Sequence, residues 1–233
     1  MDTWRTTSPQ ILPPCVCQEC EVCWAVALIH QFEANLKLKG ELGRDEHLSI
    51  QELINILPRS HRNRDGTIHG SVFARDSLTK HGTVLESVCP LTYALDTPGK
   101  TPERHDVKRF LLKRMWTKYL VESVAEFGAA FGYDVFEDAL RQKAKIAPVT
   151  VRIWWTPSYI TVAGKGGIYQ PTVDEIADAR YGHFLLVLGP VTIDGVDCWE
   201  CQDSFGPCWG RNGGRVYIRR RLNVVTEFIE MKV

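Results

Sequence analysis

Cys20-Glu21-Val22-Cys23-Trp24 closes a cysteine-rich loop and opens a helix, because Ala25, Leu28, Ile29, Phe32 and Leu36 then recur at three- and four-residue steps. The periodicity predicts a helix from Cys23 to about Lys39, stopped at Gly40. Cys23 therefore stands at a helix N-terminus, where unpaired backbone N–H groups and the positive end of the dipole favour a thiolate. The placement alone does not establish chemistry, since a cysteine leading an apolar helix is more often a small buried packing residue.

Downstream of that helix, Ser49 is a candidate N-cap with Glu52 three residues on, opening a short second helix, and Val72 to Lys80 reads as a third that ends at Gly82. Asp96 to Pro102 changes to Pro, Gly and Thr and is the candidate linker. In the next segment Arg104, Lys108, Arg109, Lys113, Arg114 and Lys118 interleave with Phe110, Leu111, Met115 and Trp116; with no nucleic-acid reader motif beside it, this is expected to be a solvated surface face. Val135 to Lys145 has helical period. After Pro148 the pattern becomes that of strands: Val149 to Ile153 and Arg215 to Arg219 alternate, Phe184 to Leu188 is a continuous apolar run, and Asp194-Gly195 marks a hairpin.

The composition suits a globular core. With 233 residues, 44% of them hydrophobic, the chain needs no staples to fold, and 28 basic against 28 acidic side chains give no global field that favours nucleic acid. The start, Met1-Asp2-Thr3-Trp4-Arg5, carries no apolar run of signal-peptide length, and no segment reaches the roughly 18 apolar residues of a membrane span. The eight cysteines cluster as Cys15, Cys17, Cys20, Cys23 and Cys198, Cys201, Cys208, with Cys89 alone, which is unlike a disulfide framework and favours reduced thiols. Cys20/Cys23 and Cys198/Cys201 have the inner spacing of zinc half-sites, but the pairs are far apart and the second lies on a strand, so no metal is expected.

A thiol nucleophile needs a base, and the base needs a group that fixes its ring. Of seven histidines, His30 falls inside the first helix, His47, His61, His69 and His105 in polar loops, and His81 beside a helix-ending glycine. His183 alone leads directly into an apolar strand, and pairing of that strand with Cys198 to Gln202 would bring Asp203 beside its ring, with Phe205 shielding the contact.

Taken in order, these features resemble the papain and cathepsin L family of cysteine peptidases. The likeness is carried by Cys20-x-x-Cys23-Trp24-Ala25, Asp2-Thr3-Trp4-Arg5, Leu48-Ser49-Ile50-Gln51-Glu52-Leu53 and Gly167-Ile168-Tyr169. It continues through His183, Asp203-Ser204-Phe205-Gly206 in place of Asn-Ser-Trp-Gly, and Trp209-Gly210-x-Asn212-Gly213. The resemblance implies an α+β, two-lobed, papain-like fold over residues 1–233. A helical lobe would run from about 15 to 96 and an antiparallel, barrel-like β lobe from about 104 to 225, with the site in the cleft between them. It further implies a cysteine endopeptidase working through a thioester acyl-enzyme: Cys23 as nucleophile, His183 as base, Asp203 as orienting group, and Gln18 with the Cys23 N–H at the oxyanion. Gly70 would meet the substrate backbone, and Tyr181 and Gly182 would line the side-chain pocket. No metal or organic cofactor is implied. The implied partners are peptide or protein substrates and proteinaceous cysteine-protease inhibitors, with no nucleic acid or membrane, and the expected state is a monomer.

The chain also departs from the family pattern. Glu21 and Val22 replace Gly-Ser before the nucleophile, Gln18 stands one residue closer to Cys23, and Cys20 lacks the family's partner near Gly66 to Gly70. These departures motivate an alternative, a catalytically silent papain-like homologue that binds peptides or proteins. The resemblance implies a lysosomal, vacuolar or secreted protein, whereas the missing cross-links and the absence of a visible signal peptide favour the cytoplasm.

Overall fold

The computed structural model describes residues 2–95, 107–120 and 133–233. The expected linker at 96–102 and Arg104 lie outside these residues.

Three helices and a sheet set the frame. The first long helix, α2 (Cys23–Leu38), follows the short α1 (Trp4–Thr7), and nearly all of its residues are buried. A helix apolar on most of its faces stabilises only by being surrounded. Here α3 (Ile50–Ile56), against which α4 (Ser71–Lys80) packs in turn, lies on one side and the sheet on the other. α2 ends as its sequence predicts. Gly40 takes φ +71°, which costs glycine little, and the turn closes with the Glu41 N–H donating to the Leu36 carbonyl at 2.9 Å. Ser49 caps α3, its hydroxyl accepting the Glu52 N–H at 2.9 Å.

The basic segment does present Arg114 and Lys118 to solvent, but as β1 (Arg114–Tyr119), with Met115 turned inward. Then come α5 (Tyr133–Ile146), β2 (Val149–Trp155), α6 (Pro157–Thr161), β3 (Ile168–Tyr169) and α7 (Val173–Asp178). The long β4 (Tyr181–Ile193), β5 (Val196–Gln202), β6 (Arg215–Arg219) and β7 (Val225–Lys232) complete the set. The order in the sheet is β1-β7-β2-β4-β5-β6-β3, antiparallel throughout except that β3 runs parallel to β6. Asp194 and Gly195, at φ +51° and +80°, form the hairpin turn between β4 and β5, the left-handed pair that matches strand twist.

Two hydrophobic clusters share β4. Phe184 packs into the cluster built on α2, α3 and α4, while Leu185 and Val187, on the other face of the strand, belong to the cluster of α5 and the sheet. That division explains why residues 184–188 form an unbroken apolar run, and why the alternating stretch 149–151 is buried on both faces. The chain ends cross over. Trp4 donates to the Ala144 carbonyl at 2.7 Å on the sheet side, while Ile229 and Val233 join the helical cluster.

Gln31 ties the two sides together. Its amide donates to the Ile229 carbonyl at 2.8 Å and accepts the Thr150 N–H at 3.0 Å, all in buried surroundings. Gln31→Leu strands a buried donor and a buried acceptor, each costing about 1–3 kcal/mol. A urea unfolding curve should show a loss of about 2–5 kcal/mol with unchanged slope, and a midpoint equal to wild type would refute this reading.

Candidate active site

Cys23 is the first residue of α2, so its own N–H has no partner within the helix. The entry is held by the turn that precedes α4: Trp24 Nε1 donates to the Gly66 carbonyl at 2.9 Å, and the Glu21 N–H donates to the Asp65 carbonyl at 3.0 Å. Gly66, at φ +101°, is where a side chain would press on the loop. A Cβ there would meet Val22 Cγ1 at 3.3 Å and the Glu21 carbonyl at 3.4 Å. Gly66 thus backs onto the loop that leads into Cys23. Gly70, half-buried, caps α4 and has only Val72 and Phe73 within 4 Å of such a Cβ. Of the two residues that replace Gly-Ser, Val22 is fully buried in the helical cluster and Glu21 is exposed to solvent.

His183, near the start of β4, and Asp203, just beyond β5, come together as their strands pair. Nε2 of the ring lies 2.8 Å from Oδ1 of Asp203, and both residues are almost wholly buried. The Cys23 side chain acts on the same ring, by charge and hydrogen bonding raising its affinity for a proton. Burial alone would lower the affinity of the ring for a proton. The Asp203 carboxylate and the Cys23 sulfur, by charge and hydrogen bonding, outweigh it and push the pKa of His183 up to about 10. The ring is therefore held as imidazolium at neutral pH. An imidazolium and a helix N-terminus are the two surroundings that stabilise a thiolate.

Aromatic rings seal this pair. Phe205 stacks on His183 with centroids 5.0 Å apart and planes 3° from parallel, and Trp209 backs Phe205 at 4.8 Å. Three donors satisfy Asp203: the imidazole and the Ser204 N–H (2.7 Å) on Oδ1, and the Tyr159 hydroxyl on Oδ2. Tyr159, from α6, is fully buried, and nothing in the sequence near it signals this contact.

Gln18 lies on the same side. Its backbone N–H donates to the Ser204 carbonyl at 2.7 Å, and its side-chain oxygen accepts the Ser204 hydroxyl at 2.6 Å, which leaves the amide NH2 as a donor. The loop carrying Gln18 is tied to residues 204–206, where Gly206 N–H also reaches the Val16 carbonyl at 3.0 Å. Tyr181 is 69% exposed, and Gly182 is covered by Arg152, whose Nε would stand 2.1 Å from a Cβ there. The glycine is what admits the guanidinium over the strand at position 182.

All eight cysteines are free thiols. Burial pushes Cys15, Cys20, Cys89, Cys198 and Cys201 up, Cys198 to about 11, and such thiols are poor nucleophiles. Among the described residues no group of three or more His, Cys, Asp and Glu side chains could hold a metal ion, and no helix is long and apolar enough to cross a membrane.

A thiol at a helix N-terminus, joined to an imidazole that a third residue orients, is the constellation of enzymes with a cysteine nucleophile. The family model described as papain family cysteine protease matches residues 2–232, and the chain belongs to that family. It is 28% identical to cathepsin S of Bos taurus over 207 residues, covering 88% of this chain and 54% of that protein. It is 25% identical to cysteine proteinase 2 of Entamoeba histolytica over 200 residues, covering 84% and 56%. The chain thus spans about half the length of the curated relatives it matches. Among solved structures, the bromelain protease of Ananas comosus superposes with a TM-score of 0.74 at 14% identity, covering 100% of this chain and 98% of that one. A digestive procathepsin from the larval midgut of Tenebrio molitor gives 0.75 at 20% identity, covering 100% and 67%. These two likenesses concern the fold, which is α+β and papain-like.

Proposed function

We propose that the chain is a cysteine endopeptidase that cleaves peptide bonds through a thioester acyl-enzyme. The observation that carries this reading is the buried His183 ring, its Nε2 2.8 Å from Oδ1 of Asp203, with the Cys23 side chain among the groups that raise its affinity for a proton. Cys23 attacks the scissile carbonyl as thiolate. The imidazolium then gives its proton to the leaving amine, and the neutral ring takes one from the water that hydrolyses the thioester. Asp203 holds the ring. The Cys23 N–H and the Gln18 amide donate to the oxyanion, a contribution worth about a hundred- to a thousandfold per donor.

The substrate would run extended through a cleft between a helical lobe of about 15–96 and a β lobe of about 104–225, its backbone at Gly70 and a side chain beside Tyr181 and Gly182. The chain acts as a monomer on peptides or proteins, needs no cofactor, and is open to proteinaceous inhibitors of this family. Incubation of the purified chain with a fluorogenic peptide amide tests the reading. Turnover that stops when Cys23 alone is alkylated is the expected result. Saturable binding of the peptide with no release of the fluorophore would overturn it in favour of a silent peptide-binding homologue.

A further inference from the structure

We propose that Tyr159 is a positioning residue of this site, its hydroxyl holding the second oxygen of Asp203 so that a buried carboxylate stays ionised behind His183. The inference rests on the peptidase reading for its purpose, but not for its geometry. Asp203 is 1% exposed, and its two oxygens are unequally served: Oδ1 takes both the imidazole and the Ser204 N–H, whereas the Tyr159 hydroxyl is the donor on Oδ2. An ionised carboxylate left with one bare oxygen in such surroundings binds a proton more readily.

The hydroxyl is well suited to the task. Tyr159 is fully buried, its ring lies 5.0 Å edge-on to Tyr169 and 5.4 Å from His183, and Ala163 of the following turn is buried in the same cluster. Burial and the adjacent carboxylate raise its pKa well above that of a free phenol, so it remains a donor and gives up no proton during the reaction. The titratable groups facing Asp203 are few. They are His183 from β4, Tyr159 from α6, Cys15 of the N-terminal loop, whose thiol donates to the Asp203 carbonyl at 3.1 Å, and Cys201 of β5. Arg215 acts on Cys15, and Cys23 reaches the carboxylate through the ring. Both facing cysteines are pushed up by burial and stay neutral, which leaves the phenol as the group that balances the carboxylate opposite the imidazole.

The role is specific to a charged residue at position 203. An amide there has no charge to stabilise, so Tyr159 should matter beside the native Asp203 and hardly at all once Asp203→Asn has removed the carboxylate. The test is the rate of Cys23 alkylation by iodoacetamide against pH, resolved by the mass of the Cys23 peptide, in wild type, Tyr159→Phe, Asp203→Asn and the double variant. Tyr159→Phe alone should move the acid limb of the profile upward by about one pH unit and slow peptide hydrolysis about tenfold. In the Asp203→Asn background the same change should alter either rate by less than about twofold.

Equal effects in both backgrounds, or no movement of the limb in either, would overturn the proposal. Should Tyr159→Phe fail to fold, a folded double variant supports the proposal and an unfolded one contradicts it. Alkylation needs no peptide turnover, so a coupled shift in a chain that hydrolyses nothing would sink the peptidase reading and leave this one standing.

Discussion

Cys23→Ala should bring hydrolysis of a fluorogenic peptide amide down by about a millionfold, the scale seen when a nucleophile is lost from an assembled site. The reason is not simply that a sulfur is missing. In the proposed mechanism, without the sulfur neither the imidazolium nor the oxyanion donors have a covalent intermediate to act on. Substrate binding should survive, because the alanine leaves α2 intact and the residue is only one of many in its cluster. Measured together, kcat should collapse while peptide affinity changes little. A variant retaining even about one per cent of turnover would require a different nucleophile, and the thiols of Cys15, Cys20 and Cys89, pushed up by burial, are poorly suited to the role.

The second large effect concerns pH. His183 has its pKa raised to about 10 against burial, which works in the other direction, and the Asp203 charge is the largest contribution that raises it. Asp203→Asn preserves an acceptor for the ring N–H but removes that charge, so the ring should lose its proton at a lower pH. The alkaline limb of kcat/KM, near pH 10 in the parent, should then move down by more than about one unit. Stability follows the same sign. A histidine whose folded pKa lies above its unfolded value of 6.5 contributes stability that is fully present below that value and lost as pH rises through about 10. The parent should therefore lose thermal stability across that window, and the variant should lose less. An unmoved alkaline limb in Asp203→Asn would mean that Asp203 does not set the charge of the ring.

How far the sequence revealed this site depends on the range of the contact. Helix period and capping are local, so α2, the Ser49 cap and the Gly40 terminus were legible. The Asp194-Gly195 turn fixed the β4–β5 pairing, and with it the approach of Asp203 to His183. Phe205 followed from the same register. Tyr159 did not, because it sits on a five-residue helix, 44 residues from the carboxylate it holds, and no periodicity connects them. Arg152 was equally hidden. Its alternation with Ile153 was plain, but its guanidinium lies over Gly182 only through the pairing of β2 with β4. The turn at Gly66 was missed as a support of the loop before Cys23 because a backbone carbonyl accepting the Trp24 indole leaves no mark on side-chain pattern. Burial of residues 149–151 of β2 arises likewise from packing on both faces, which alternation cannot announce.

The pairing of Cys23 with His183 is the claim that everything else needs, and the exposed thiols of Cys17 and Cys208 supply an internal standard for it. Limiting iodoacetamide at neutral pH, with each cysteine peptide quantified by mass, measures the three side by side in wild type and His183→Ala. The account predicts that Cys23, although only 7% exposed, is alkylated at least about tenfold faster than either exposed thiol, and that His183→Ala abolishes the advantage. Cys23 labelled no faster than Cys17 and Cys208, or labelled equally fast without the imidazole, would contradict it.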